Sequence, residues 1–136
     1  MGRAALIVDT SALVAILLDE PEAVAFTIAI RSAGRTRLST SSYIEASLRL
    51  GREADCVALA ALDPLIERLG ISLEPLTVEH ALAAREAGAR FGKGHHPAKL
   101  NFGDCCAYAL AKVSGEPLLF KGNDFSQTDI AVALPL

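Results

Sequence analysis

The chain has no tryptophan, one methionine and only two tyrosines and five phenylalanines. Aromatics this sparse exclude a broad stacking platform for single-stranded nucleic acid. Three cysteines (Cys56, Cys105, Cys106), two of them adjacent, make no disulfide framework. They read as buried small apolar residues in a reducing cytoplasm. No stretch approaches the 18 or more apolar residues of a membrane span, so no membrane partner is expected. The N-terminal run around Ala4–Val8 resembles a secretory signal, but Asp9 interrupts it and no small-residue cleavage site follows. There is also no positive excess. Sixteen acidic against thirteen basic residues leave a net charge of −3, which argues against nucleic-acid binding by bulk charge.

What is present is a single domain's worth of chain. In 136 residues the hydrophobic share is 51%, and alanine supplies 24 of those residues. That length buries a core without staples, and alanine favours helix. Ala4 to Val8 is an unalternating apolar run, the pattern of a strand covered on both faces. Asp9-Thr10-Ser11 is a strand-to-helix turn, with Thr10 or Ser11 placed to cap a short helix over Leu13–Leu18. Pro21 opens a second helix reaching Ala33-Gly34. A strand over Arg37–Thr40 follows, then a helix to about Glu53, in which Ser42 and Glu45 have capping-box spacing. A helix over Cys56–Leu69, a strand over Ile71–Leu73 and a Thr77-capped helix to Phe91 come next. Phe91–Phe102 is a loop, and Asn101 caps a helix that Gly115 ends. Pro117–Phe120 is a strand, and Ile130–Val132 a short edge strand. This alternation predicts a three-layer α/β/α sandwich around a mostly parallel sheet.

In such sheets sites form beyond the carboxyl ends of the strands. Four acids fall there: Asp9, Glu45, Asp104 and Asp124, separated by 36, 59 and 20 residues. Each has a local reading. Asp9 belongs to a turn, Glu45 to the capping box, Asp104 to a helix dipole, and Asp124 to a turn or short helix. Together they make a different object. Clustered carboxylates repel unless they hold protons or a cation, and Mg²⁺ or Mn²⁺ takes oxygen ligands. Such a centre hydrolyses phosphodiesters without a Ser, Cys or His nucleophile. Asp9, Asp104 and Asp124 are the expected ligands, with Glu45 a ligand or the base that orients water. Asp129 is a fifth candidate, a helper of Asp124 or a solvated turn residue.

The segments VDTSALVAIL, SSYIEASL, GKGHHPAKLNFGDCCAYALAK and PLLFKGNDF resemble the PIN-domain ribonucleases, specifically the VapC-type toxins of bacterial toxin–antitoxin pairs. The resemblance runs from Leu6 to about Ile130 and implies one PIN domain over 1–136. It implies a five-stranded parallel sheet and Mg²⁺- or Mn²⁺-dependent endoribonuclease activity. The family's four acids fall on Asp9, Glu45, Asp104 and Asp124, and its Ser/Thr after the first acid on Thr10 and Ser11. It also implies a homodimer and a VapB-type antitoxin lying over the active site. Basic residues flank the acids: Arg85, Arg90, Lys93, His95, His96 and Lys99 before Asp104; Arg31, Arg35 and Arg37 before Glu45; Lys121 before Asp124. Arg90, Lys93, His95 and Lys99 are the candidates to hold RNA phosphates. Phe91 and Phe102 could stack a base, but the core is the expected place for both. The apolar faces at Leu13, Ile16 and Leu17, and at Leu59–Leu69, are expected to meet a dimer mate or antitoxin. The alternatives are a non-catalytic PIN scaffold, a PIN-type DNA nuclease and a receiver-like phospho-acceptor domain.

Overall fold

The computed structural model describes residues 4–52 and 56–134. Four parallel strands lie in the order β3-β2-β1-β4: β1 (Ala5–Val8), β2 (Arg35–Ser39), β3 (Ile71–Glu74) and β4 (Leu118–Leu119). Six helices cover them: α1 (Thr10–Leu17), α2 (Ala23–Ser32), α3 (Thr40–Arg52), α4 (Cys56–Arg68), α5 (Val78–Phe91) and α6 (Phe102–Ser114). The expected end of α3 at Glu53 lies outside the described residues.

The three layers follow from side-chain alternation along β1. Leu6 and Val8 enter one core with Leu13, Phe26, Leu38, Leu50 and Leu62, from the α1–α4 side. Ile7 enters the other, with Ala87, Phe91, Tyr108, Leu110 and Leu118. The apolar faces of Leu13 and of Leu62, Leu65 and Ile66 are spent inside the first core, so they are not the outer surface expected of them. Cys105 and Cys106 are buried, but Cys56 is exposed.

The expected fifth strand reduces to a single parallel bridge between Leu118 and Val132. Leu118 N–H donates to the Ala131 carbonyl at 2.9 Å and accepts at its own carbonyl from Ala133 N–H at 3.0 Å. β4 is two residues long, so it offers no further register to extend. Pro21 does not open α2, which begins at Ala23 after Glu22. β2 begins at Arg35, two residues before its expected start, so Arg37 lies within it, opposite Ile7. Its guanidinium is drawn to Glu116 at 2.9 Å and Glu74 at 3.5 Å, so it braces the sheet and is not a phosphate ligand. α6 matches its expected bounds. Asn101 caps it, and Gly115 ends it at φ 69°, a left-handed turn that glycine adopts without strain.

β1 sits between β2 and β4, so the chain leaves β1 in one direction and reaches β4 from the other. That reversal opens a crevice past the carboxyl ends of β1 and β4.

Candidate active site

Asp9 closes β1 at the mouth of this crevice and is itself the N-cap of α1; neither Thr10 nor Ser11 is. Its Oδ2 accepts Ser11 N–H at 3.0 Å and Ser11 Oγ–H at 2.6 Å. Ser11 Oγ in turn accepts Lys121 N–H at 3.0 Å, which ties the end of β1 to the turn after β4. Asp9 is 3% exposed, and its Oδ1 is buried with no hydrogen-bond partner. Burial pushes its pKa up to about 7, the Ser11 bonds oppose this, and the charges of Asp104 and Glu45 add to it. Thr10 Oγ donates to the Ser42 carbonyl at 3.0 Å, so Thr10 fastens α1 to α3 instead of facing the acids.

Asp104 is the third residue of α6. Its N–H donates to Asn101 Oδ1 at 2.9 Å, and its Oδ2 accepts Asn101 N–H at 3.1 Å. Only one of its oxygens serves the helix. Burial raises its pKa, the Asn101 bond opposes this, and Glu45 and Asp124 raise it further. Glu45 is not a capping residue. α3 starts at Thr40, which puts Ser42 inside the helix with its Oγ buried and unpartnered. The Glu45 carboxylate instead lies against the first turn of α6. Asp124 precedes a 3₁₀ turn at Phe125–Gln127 and makes no side-chain capping bond. Asp9, Glu45 and Asp104 therefore share one electrostatic field, and Asp124 acts on Asp104.

One residue here escapes a reading of acids and strand ends. A Cβ on Gly103 would stand 2.1 Å from Glu45 Oε2 and 2.6 Å from Oε1. Only a glycine lets the Glu45 carboxylate approach α6 so closely. The visible signal was a glycine in the first turn of a helix, where most residues are better helix formers. Beside it, burial and then the Asp104 charge push the Cys105 thiol up, which keeps it from serving as a nucleophile.

Asp129 is bound to a tyrosine and two cations. It accepts Tyr108 Oη–H at 2.5 Å and pairs with Lys112 at 3.0 Å and Arg90 at 3.3 Å. Burial pushes its pKa up, but the Tyr108 and Lys112 bonds outweigh that and bring it down to about 2. Arg90 is thereby committed to joining α5 to the C-terminal segment. The His95 ring bonds the Ala89 carbonyl at 2.9 Å. Lys93 and Lys99 are exposed, and among the described residues neither has an ion-pair partner. Their loop closes on itself through Lys93 N–H to the Leu100 carbonyl at 3.0 Å and Leu100 N–H to the Phe91 carbonyl at 2.9 Å. Lys99 thus stands two residues from the cap of α6. Phe91 is core, whereas Phe102 is 82% exposed.

Among the described residues no three His, Cys, Asp or Glu side chains close on a common point tightly enough to cage a metal unaided. The donor chemistry still fits a hard cation that keeps several waters. Four carboxylates act on one another electrostatically, and one of their oxygens is buried and unpartnered.

Parallel α/β sheets that gather acids at a strand-order reversal form a class built to hold charge at that edge. Residues 6–131 match the PIN-domain model, and the chain belongs to the PIN-domain family. It is 51% identical over 130 residues to ribonuclease VapC28 of Mycobacterium tuberculosis, covering 95% of this chain and 98% of the relative. The crystal structure of M. tuberculosis VapC20, a sarcin–ricin-loop-cleaving toxin, superposes with a TM-score of 0.78 at 20% identity, covering 96% and 99% of the two chains. VapBC2 of Rickettsia felis, bound to a promoter DNA fragment, superposes at 0.73 with 11% identity, covering 94% and 96%. No helix among the described residues is long and apolar enough to cross a membrane.

Proposed function

We propose that this chain is a VapC-type endoribonuclease toxin that cleaves RNA with Mg²⁺ or Mn²⁺ and is neutralised by a VapB-type antitoxin. The observation that carries the reading is Asp9: a carboxylate buried beside two others, with one oxygen tied to Ser11 and the other unpartnered. Leaving such an atom unsatisfied is costly unless a ligand completes it.

Asp9, Asp104 and Asp124 would hold the ion. When bound, it offsets the carboxylate charge and acts as a Lewis acid toward the phosphate. Ser11 fixes the rotamer of Asp9, and Asn101 fixes that of Asp104. Glu45, held against Gly103, is placed as a further ligand or to take the proton from the attacking water. In-line attack leaves a 5′-phosphate and a 3′-hydroxyl. Lys93 and Lys99, exposed on the loop before α6, are placed to meet the RNA backbone. Relatives named ribonucleases, and the toxin–antitoxin assembly among the structural neighbours, support the activity and the antitoxin; a homodimer as the working form is part of the proposal.

The test is cleavage of RNA by purified protein. Activity should require Mg²⁺ or Mn²⁺, stop with EDTA, and vanish in Asp9→Asn. Cleavage that survives both treatments overturns the reading, and binding of RNA without cleavage in any metal favours a non-catalytic scaffold. Single-stranded DNA as a competing substrate separates a DNA nuclease.

A further inference from the structure

Phe102 is the first residue of α6, one residue before the glycine that receives Glu45 and two before Asp104. Its ring stands 82% exposed, although burial is where a phenylalanine ring is favoured. Its ring is the wall shared by two open clefts. One, about 330 Å³, has an almost wholly apolar floor that includes Leu76, Ala84 and Cys106, with Arg85 at its edge. The other, about 230 Å³, runs between Ile44 and Leu48 on one side and Gly103 on the other, with Glu45 and Arg52 in its lining. Arg85 and Arg52 are exposed, and among the described residues neither has an ion-pair or hydrogen-bond partner.

The chemistry of the clefts selects their occupant. A wholly apolar side chain in the second cleft would be pressed against the Glu45 carboxylate and desolvate it. A nucleobase presents an apolar face to Phe102 and N–H donors at its edge to that carboxylate. The two unpaired arginines, one per cleft, suit the phosphates on either side of such a base.

We propose that Phe102 is a base-stacking residue. It seats an unpaired nucleobase beside the scissile phosphate, while Arg85 and Arg52 hold the flanking phosphates. This inference rests on the RNA-cleaving reading above and narrows the substrate. The cut falls in a single-stranded or splayed segment, because a base inside a duplex has no free face for the ring.

The test uses a fluorescently labelled single-stranded RNA of mixed sequence, bound to full-length Asp9→Asn protein and followed by anisotropy. Phe102→Ala, Phe102→Leu and Phe102→Trp are compared in that background and, for KM and kcat, in the wild type. One stacked base is worth about 1–3 kcal/mol, so Phe102→Ala should weaken binding about 5- to 150-fold. Phe102→Trp should stay within about twofold, and Phe102→Leu should behave like Ala. Phe102→Ala binding as tightly as the parent overturns the proposal. So does rescue by Leu equal to that by Trp, or a change in sedimentation showing that the ring joins two copies of the chain. RNA binding with no Phe102 dependence sinks only this inference, whereas no cleavage or binding of RNA by the parent proteins sinks the functional reading beneath it.

Discussion

Replacing Asp9 with asparagine should make the metal-free protein more stable while abolishing cleavage. The Asp9 carboxyl lies in a buried site, and its pKa stands at about 7 against an ordinary 3.8. A carboxyl whose folded pKa is raised binds protons more tightly in the native state. Stability is therefore greatest below about pH 4 and falls as pH rises toward 7, where the full cost of the buried charge is reached. At about 1.4 kcal/mol per pH unit, a rise of about three units bounds that cost at about 4 kcal/mol. Asparagine keeps the shape, and its carbonyl can still accept from Ser11 N–H and Oγ–H. In a domain of this size each kcal/mol moves Tm by about 4 °C. Calorimetry in EDTA at pH 8 should thus show Asp9→Asn melting above wild type by up to about 15 °C. The gap should close near pH 4. Adding Mg²⁺ or Mn²⁺ at pH 8 should raise the wild-type Tm and leave the variant unmoved. A variant less stable than wild type at pH 8, or a gap independent of pH, would refute the assignment of Asp9 as an uncompensated buried charge.

Three further outcomes follow from the same geometry. Gly103→Ala places a Cβ 2.1 Å from Glu45 Oε2, so the carboxylate must retreat by about 1 Å; kcat/KM should fall about 100-fold while the melting temperature holds or rises, and a parallel loss of both would show that Gly103 serves only the fold. Asp129→Asn removes a carboxylate whose pKa is lowered to about 2, so its contribution is complete above about pH 4 and disappears as pH falls to 2. Urea unfolding should show a loss of about 1 kcal/mol at pH 7, discounted for the exposure of the group, with cleavage retained. In the double variant Lys93→Ala/Lys99→Ala, KM should rise and the dependence of log KM on log salt should flatten by about 1.5 units, with kcat unchanged. An unaltered salt slope would place the RNA backbone elsewhere.

Elements ruled by local chemistry were legible in the chain. The apolar run ending at Asp9, the caps at Thr77 and Asn101 and the stop at Gly115 depend on neighbours a few residues away, and each stands at its expected place. Where two local rules competed, spacing misled. Ser42 and Glu45 have the interval of a capping box, but α3 begins two residues earlier because Thr40 continues directly from β2. Glu45 was thereby released to the crevice. The partners of Arg37 and Asp129 were not legible, because Glu116 and Tyr108 are 79 and 21 residues away. No window of sequence contains such pairs.

The sequence alone determined the layered α/β architecture, since periodicity and caps act over a few bonds. It also singled out four acids, Asp9, Glu45, Asp104 and Asp124, whose charges act on one another in the folded chain. Tertiary structure decided which oxygens remained unsatisfied after the fold had used the rest. It committed Oδ2 of Asp9 to Ser11 and left Oδ1 bare. It turned Thr10 away to α3, pressed Glu45 into the space a glycine vacates, and left Phe102 in the open. The physical reason is that a hydrogen-bond ledger closes only in three dimensions. Whether a carboxylate is structural or available depends on donors brought to it from distant segments.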